Sequence, residues 1–395
     1  MLKIHTAIKR FLYIIYLAVI PGSLFAQQGR FTMKDLSGFL DSKHHWLDIT
    51  DHEGAIVPEK DQQDYAPENF REIADNILLY QQPNGGWPKN YDMMAVLTDQ
   101  QKQVLALHKD SLRTTFDNGA THTQIGYLSR VYSVTGNDRY KEAVIRGMRF
   151  ILQAQYANGG WPQFYPDRSG YRKYITFNDG AMIGVMTLLQ AIVQGENDFS
   201  FIQGKLKEEI TLSYKKGIDC ILKCQIIEKG RKTIWCQQHD QISLEPAPAR
   251  TFELASKATG ESAGIIIFLM KINNPDPEVI DAVNSAVAWL KQAEIKGIRV
   301  QTVPAPKETY IFHEATNDRV VVEDSLAPPV WTRFYELETD RPLFANRDGK
   351  KVYQLSEVAR ERRTGYAWYG YWPAKIINTD YPGWLNSIKT GTNNE

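Results

Sequence analysis

Apolar residues recur at intervals of three and four along much of the chain, and this periodicity predicts helices rather than strands. The predicted helices lie near residues 68–82, 118–135, 138–156, 179–195, 205–226, 251–272 and 276–293. Because helix pairs recur roughly every 60 to 75 residues, we expect them to stack around a shared core. The predicted fold class is mainly α, a partial (α/α) toroid whose inner helices begin near Asn118, Asp179 and Thr251.

A glutamine, a glycine-containing turn and a tryptophan follow the helix ends in a repeated order. The three tryptophans fall 74 residues apart each time, at Trp87, Trp161 and Trp235. A weaker fourth copy occupies residues 288–301. A repeated glutamine-to-tryptophan element also stabilises paired helices in helical-toroid cyclases. We therefore interpret Gln82 to Trp87 and Gln155 to Trp161 as structural ties.

The composition changes after about residue 300. Between residues 331 and 384, twelve of 54 residues are aromatic, against a chain average of 11%. Helical periodicity is lost there, and VVVED (320–324) and RFYELE (333–338) favour short strands. We expect residues 301–385 to form an irregular, partly β lobe packed on the helices, followed by a tail at 386–395.

The first segment has the order of a secretory signal. Lys3, Lys9 and Arg10 precede a run of about ten apolar residues, which is too short to span a bilayer, and small residues lead to Ala26. We predict cleavage after Ala26, a polar extension at 27–66 and one main folded domain at 67–385. The protein would then be secreted or periplasmic, with no stable membrane insertion after cleavage.

Charge and cysteine content exclude several classes of protein. Basic and acidic residues balance at 46 each, so the chain lacks the basic field on which nucleic-acid binding depends. Loss of the three basic residues of the signal would leave a slightly acidic protein. The cysteines form an odd set without zinc spacing, so we interpret them as core or free thiols: Cys220, Cys224 and Cys236.

Two acidic dipeptides, Asp117-Asn118 and Asn178-Asp179, lie at matching positions of the repeat. Both precede an apolar-periodic run, so helix N-capping is one interpretation. Carboxylates at equivalent helix starts would also bring hard oxygen ligands together at one end of the fold, which suits a calcium ion. The residues alone leave both interpretations open.

Arginines supply the other candidate chemistry. Arg250 follows a proline-rich run that restricts the backbone and would aim the side chain from a rigid loop. Arg333, Arg341, Arg362 and Arg363 lie among the C-terminal aromatic residues and could grip carboxylates bidentately, or could cover aromatic rings at the surface. Lys89, just past the first Trp-Pro, could reach a substrate. His122 and His239 lack the motif context of a hydrolase triad or a zinc protease.

Many ordered motifs together resemble one family. NGGWPKN, TFDNGATHTQ, YANGGWPQFYP, ITFNDGAM, RFYELETDRPLF and RRTGYAWYGYWP are similar to those of the family 10 polysaccharide lyases, which are pectate lyases. The likeness covers roughly residues 67 to 375. It implies a partial helical toroid with an irregular lobe and a cleft for polygalacturonate between them.

The resemblance also implies roles for particular residues. Asp117 and Asp179 match acidic positions for calcium and substrate, and Asn118 matches a neighbouring contact. Arg250 matches the arginine that acts as base, and Arg333 matches an arginine that grips a substrate carboxylate. Lys89 and Arg341 as substrate contacts extend the pattern. The implied activity is calcium-assisted anti β-elimination of α-1,4-polygalacturonate, by a protein expected to be a monomer.

An arginine base has a high energetic cost. Its pKa is at least about 12.5, so neutral guanidine at pH 9 costs roughly 5 kcal/mol. We expect the site to lower this pKa, and activity to be highest at alkaline pH.

Three other readings stay open at this stage. A lyase acting on another uronan would use the same residues, and a non-catalytic uronan-binding protein would need only the aromatic wall and the arginines. A helical-toroid cyclase or an inverting glycosidase fits less well. The chain lacks an acidic DxDD motif, and the glycosidase requires a separated pair of carboxylates.

Overall fold

The computed structural model describes residues 36–49 and 54–391, which belong to one unit, residues 33–395. The predicted signal at 1–26 lies outside the described residues, so its cleavage stays a prediction. No helix in the described part of the chain is long and apolar enough to cross a membrane.

The predicted helices are present, and the prediction of a mainly helical fold is confirmed. The α-helices α1 to α11 are, in order, Ser37–Asp48, Phe70–Tyr80, Asp99–Leu107, His122–Thr135, Asp138–Ala154, Ala181–Gln194, Gly204–Cys224, Thr259–Met270, Pro277–Gln292, Arg360–Gly365 and Tyr381–Gly391. The last of them crosses the predicted boundary between lobe and tail at residue 385.

The strands are short, apart from one long hairpin. In chain order, β1 to β13 are Ile175–Thr176, Ile227–Glu228, Arg231–Lys232, Gln238–His239, Pro246–Ala247, Lys257–Ala258, Ile298–Thr309, Glu314–Glu323, Trp331–Thr332, Phe334–Tyr335, Pro342–Ala345, Lys351–Val352 and Tyr369–Gly370. All described pairings are antiparallel, and β7 and β8 form the long hairpin.

The helices pack in two connected rows. Helices α2, α4, α6 and α8 contact one another in sequence, and so do α5, α7 and α9. Each of the pairs α4–α5, α6–α7 and α8–α9 joins one row to the other. The amphipathic pattern therefore buries the apolar faces between the rows. This arrangement agrees with repeated helix pairs, whereas the toroid itself stays a prediction.

Three glutamines tie neighbouring helix pairs together. Gln81 donates its side-chain amide to Gly85 O and to Ala143 O, both at 2.9 Å. Gln155 and Gln225 repeat this pattern, each bridging its own turn and the next helix pair. The tie thus satisfies two backbone acceptors at each junction. The sequence interpretation chose Gln82, which is wrong by one residue, since the Gln82 amide donates to Ser111 instead.

The tryptophans complete the ties. Each indole N–H donates to a carbonyl near the end of the preceding helix: Trp87 to Ile77, Trp161 to Ile151 and Trp235 to Ile221. All three side chains are fully buried. In the fourth copy the equivalent tryptophan is Trp331, whose indole N–H donates to Leu290 O. Strands β7 and β8 lie between these two residues in the sequence.

The C-terminal part is partly β, as predicted. Strands β12, β11, β10 and β6 form a four-stranded sheet that joins this part to the helical part of the chain. Aromatic residues from both parts fill its core, including Phe252, Phe334, Phe344 and Trp368. The three cysteines are buried, and none of them forms a disulfide in the structure.

Candidate active site

Two matching turns precede α4 and α6. The 117 turn (Asp117–Gly119) and the 178 turn (Asn178–Gly180) are single turns of 3-10 helix that pack against each other. Their middle residues have left-handed backbone angles, with φ of 50° at Asn118 and 48° at Asp179. A non-glycine residue in this region carries strain that is concentrated at functional sites.

The predicted helix starts and the N-capping interpretation are both wrong. The helices begin at His122 and Ala181, and no side chain hydrogen-bonds to cap either one. N-capping therefore does not explain the acidic dipeptides. The third expected start, Thr251, is also wrong, because residues 250–253 form a tight turn and α8 begins only at Thr259.

A cavity of about 720 Å³ lies beside the two turns. Six predicted site residues line it: Lys89, Asp117, Asn118, Asp179, Arg250 and Arg333. Arg341 is not among the lining residues. It is exposed, and its guanidinium lies 3.6 Å from the centre of the Tyr353 ring. The structure thus gives Arg341 a stacking role at the surface and brings the other six together.

Asp117 is buried beside a lysine. Lys89 Nζ lies 2.7 Å from Asp117 Oδ2, and Asp117 is only 3% exposed. Burial alone would raise the pKa of Asp117, but the charge and hydrogen bond of Lys89 bring it below its usual value. Asp117 Oδ1 is buried without a hydrogen-bond partner among the described residues. The site therefore holds an ionised carboxylate with an unused acceptor.

Asp179 lies in a different electrostatic environment. Solvent reaches its side chain through the cavity, but the surrounding protein desolvates it. This desolvation, together with the nearby charge of Asp117, raises the pKa of Asp179 to about 7. Arg333 acts in the other direction. Two carboxylates that oppose each other's ionisation form a place where a cation would be stabilised.

Arg250 is held by Glu253. Its Nε donates to Glu253 Oε2 at 2.7 Å and its Nη2 to Glu253 Oε1 at 2.5 Å. Tyr366 donates its hydroxyl to the same carboxylate at 2.7 Å. Burial alone would lower the pKa of Arg250, but the charge and hydrogen bonds of Glu253 raise it well above the usual value. The expectation of a lowered arginine pKa is therefore wrong for the site as described, because Glu253 opposes it.

Glu253 is a residue that sequence analysis missed. It is 2% exposed, and the Arg250 side chain that it holds is 45% exposed and lines the cavity. Arg250 and Glu253 are three residues apart in the sequence, and this spacing could have indicated that they form an ion pair. Tyr366, from the RRTGYAWYGYWP segment, supports the carboxylate from the C-terminal part of the chain.

Arg333 lies between the 178 turn and the C-terminal lobe. Its Nη2 donates to Glu261 Oε1 at 2.6 Å and to Asn178 Oδ1 at 3.2 Å. The guanidinium also lies over the Tyr366 ring, 4.8 Å from its centre. Arg333 Nε is buried without a hydrogen-bond partner among the described residues. This unused donor fits a ligand carboxylate.

Further arginines line the cavity. Arg347 and Arg362 both pair with Glu361, whose pKa falls to about 2; burial opposes this shift, and the two arginines cause it. Arg319 donates to the carbonyl of Tyr366 at 3.0 Å. These side chains give the lobe a basic surface, of which the sequence had indicated Arg362 but not Arg319 or Arg347.

The donor set fits a hard cation. Asp117 and Asp179 supply carboxylate oxygens, which calcium prefers, and one of these oxygens is buried without a partner. No group of three or more His, Cys, Asp or Glu side chains arranged for a metal occurs in the described part of the chain. The remaining ligands of a calcium ion would therefore be substrate and water oxygens.

Comparison with known proteins shows the family to which the chain belongs. The family model described as pectic acid lyase matches residues 81–377. The solved family 10 polysaccharide lyase from Cellvibrio cellulosa is 32% identical, with a TM-score of 0.67 over 80% of this chain and 96% of that chain. An aspartate-to-alanine mutant of that enzyme, in complex with trigalacturonic acid, matches with the same identity and TM-score over 79% and 95%. No curated protein matches the chain.

These matches show that the protein is a polysaccharide lyase. The chain belongs to the pectic acid lyase family.

Proposed function

We propose that the protein is a secreted pectate lyase that cleaves α-1,4-polygalacturonate by calcium-assisted anti β-elimination. One observation carries the proposal: Arg250 shares a single cavity with the carboxylates of Asp117 and Asp179. The related enzyme binds trigalacturonic acid in its mutant form. This supports polygalacturonate as the substrate class of the present protein.

The polymer would bind through its carboxylates. Arg333 offers a buried Nε–H without a partner among the described residues, and its Nη2 is fixed by Glu261 and Asn178. Such a fixed guanidinium loses little conformational freedom on binding a carboxylate. Lys89 and Asn118 line the same cavity and would contact the sugar beside it.

Asp117 and Asp179 would hold the calcium ion. When bound, calcium stabilises the negative charge that develops on the sugar carboxylate. The two aspartates lie on turns that pack against each other, so their carboxylates are positioned before substrate arrives. Lys89 would keep Asp117 ionised and ready to bind.

Arg250 would remove the proton from C5 of the galacturonate. The electron pair of the C5–H bond becomes the C4–C5 double bond, while the C4–O bond breaks and its oxygen leaves with the bonding pair. The departing oxygen takes a proton from solvent. The product is a 4,5-unsaturated oligogalacturonide, and Arg250 then returns its proton to water.

Glu253 sets the main cost of this step. The chemistry requires neutral guanidine, whereas Glu253 raises the pKa of Arg250. Neutral guanidine would already cost roughly 5 kcal/mol at pH 9 for an ordinary arginine. An alkaline activity optimum therefore follows.

The proposal also covers the shape of the helical part, the location of the protein and its oligomeric state. The helix rows would form a partial toroid, and the predicted signal would direct the protein to the periplasm or the medium, where it acts as a monomer. A lyase acting on another uronan would use the same cleft. A non-catalytic uronan-binding protein would need the arginines but no base held by a carboxylate.

Ultraviolet absorbance of the unsaturated product tests the proposal. The protein lacking residues 1–26 would be incubated with polygalacturonate, with calcium and with a chelator. Absorbance that grows with calcium and stops with chelator is expected. Folded protein that generates no absorbance on polygalacturonate but does so on another uronan would change the substrate. No absorbance on any uronan would refute the lyase.

A further inference from the structure

Helix α1 (Ser37–Asp48) forms part of the cleft although it precedes the region matched by the family model, residues 81–377. The surrounding sequence, residues 27–66, gave no functional signal. Because α1 lines the cavity, it would contact any polymer that is bound beside the 117 turn.

One face of α1 anchors the helix. Phe39, Ser42 and Trp46 are buried. The Phe39 ring packs edge-on against Tyr127 with 5.8 Å between centres, and Ser42 Oγ accepts a hydrogen bond from the backbone N–H of Tyr91 at 3.1 Å. These contacts fix the helix to the body of the protein.

The helix lies directly against the 117 turn. A Cβ on Gly119 would lie 2.2 Å from Gly38 O, and Gly119 has a positive φ of 75°. A residue with a side chain would be excluded by both effects. The backbone of α1 therefore approaches the turn that bears Asp117 and Asn118 as closely as glycine permits.

The other face of α1 is turned to the cleft. Asp41, His44, His45 and Asp48 follow one another at helical spacing, and all four line the cavity. His44 Nδ1 lies 2.8 Å from Asp48 Oδ2, and His45 Nε2 lies 3.9 Å from Asp41 Oδ1. The side chains of Asp41 and Asp48 are 51% and 64% exposed. A carboxylate has about four lone-pair positions, so one histidine contact leaves acceptor capacity.

A buried amide beside Asp117 adds a second kind of acceptor to the cavity. Gln163 is 6% exposed and lines the same cavity, and its Oε1 has no hydrogen-bond partner among the described residues. A buried carbonyl oxygen without a donor is costly unless a ligand or water supplies one. The cavity therefore contains acceptors from two separate parts of the chain.

The cleft then has two chemically different surfaces. The lobe contributes guanidinium groups from Arg319, Arg347 and Arg362, whereas α1 contributes carboxylates. A uronate ring likewise has two edges, because the C5 carboxylate lies across the ring from the hydroxyls on C2 and C3. Carboxylates of α1 would repel the first edge and accept hydrogen bonds from the second.

We propose that the α1 face formed by Asp41, His44, His45 and Asp48 binds the C2 and C3 hydroxyls of the uronan and so selects the orientation of its rings. This inference rests on the proposed function, since it takes polygalacturonate as the substrate. Helix α1 would then determine specificity in two ways. It would strengthen binding of the polymer, and it would disfavour polymer that is O-acetylated at these hydroxyls.

Steady-state kinetics on polygalacturonate test the proposal. The variants are Asp41→Ala, Asp48→Ala and their Asn counterparts, which keep an acceptor oxygen in place. None of these changes alters the buried face of α1. Loss of a hydrogen bond should raise KM about 3- to 10-fold in the Ala variants with little change in kcat. The Asn variants should stay near wild type, as should the exposed control Glu208→Gln on α7.

Acetylated polymer provides a second readout. Wild type should cleave polygalacturonate that is acetylated at O2 and O3 more slowly than the unmodified polymer. The difference between these two rates should be smaller in the Ala variants. Active wild type with unchanged KM in both Ala variants overturns the inference alone. Asn variants as impaired as the Ala variants overturn hydroxyl binding in favour of a charge effect. Wild type that is inactive on polygalacturonate overturns the proposed function and this inference with it.

Discussion

Arg250 and Glu253 form a two-bond ion pair within a single tight turn, with Glu253 buried and Arg250 reaching into the cleft. The carboxylate accepts a third hydrogen bond from the backbone N–H of Arg250 at 3.2 Å. The pair gives the arginine a fixed direction. It also stabilises the protonated form of the arginine, which is the form that cannot act as base.

Replacing Glu253 by Gln should move the pH dependence of kcat to lower pH. The substitution removes the negative charge that raises the pKa of Arg250, so neutral guanidine becomes less costly. The amide can still accept from Tyr366, but it holds Arg250 less firmly, and the maximal rate should fall. The measurement is kcat against pH, with Glu208→Gln as control. A profile that keeps its midpoint would contradict the assigned effect of Glu253.

Arg250→Ala should reduce kcat by about 10² to 10⁴, the usual contribution of a positioned base. Binding should persist, because Arg333 and the lobe arginines remain in place. Arg250→Lys should also be slow, since an ammonium cannot reproduce the two-bond pair with Glu253. Single-turnover rates together with polygalacturonate binding separate the two effects. Equal loss of binding and rate would make Arg250 a substrate-binding residue.

The sequence predicted much of the fold because periodicity records which helix faces are buried. It also predicted that Asp117 and Asp179 lie close together, and the turns that bear them do pack against each other. It could not reveal that Asn118 and Asp179 have left-handed backbone angles, which shift the helix starts by a few residues. The contact of Gly38 with Gly119 was also hidden, because it depends on packing between distant segments.

The sequence also provided an incomplete picture of which acidic residue pairs with each arginine. The Arg250–Glu253 pair is local and could have been found from its spacing of three residues. The pairing of Arg333 with Glu261 joins residues 72 positions apart and needed the folded chain. Arg341 illustrates the reverse error, because an arginine among aromatic residues can cover a ring at the surface.

Gln225→Ala should destabilise the protein by about 1–3 kcal/mol. The Gln225 amide donates to Thr233 O and Ala282 O, and its loss leaves both carbonyls without that donor. Gln194→Ala, at an exposed glutamine, is the matched control and should change the free energy of unfolding little. Urea denaturation measures both. Equal stability of the two variants would show that the glutamine ties are dispensable.

His239 should make the fold sensitive to acid. Its Nε2 accepts from Cys236 N–H at 3.1 Å and its Nδ1 donates to Leu244 O at 2.8 Å, so the ring is neutral. Burial lowers the pKa of His239 to about 4. The unfolded histidine binds a proton near its usual pKa of about 6.5, before the folded one does. Stability is therefore retained above about pH 6.5 and lost as pH falls towards 4.

The size of this effect is about 3 kcal/mol for a shift of this extent. His122, whose pKa burial likewise lowers to about 4, should add a similar contribution. Urea denaturation between about pH 7 and pH 4.5 would show the loss, and His239→Gln should reduce its slope. An unchanged slope in that variant would exclude His239 as the source.

Asp117, Asp179 and Arg250 are proposed to act together in calcium-dependent elimination. The most direct test is the rate of unsaturated product formed from polygalacturonate by wild type, Asp179→Asn and Arg250→Ala, across a calcium titration and with chelator. Wild type should be active only with calcium, and Asp179→Asn should require more calcium for its half-maximal rate. Arg250→Ala should stay about 10²- to 10⁴-fold slower than wild type at every calcium concentration. Wild-type activity that persists in chelator, or full activity of Arg250→Ala, would contradict this proposal.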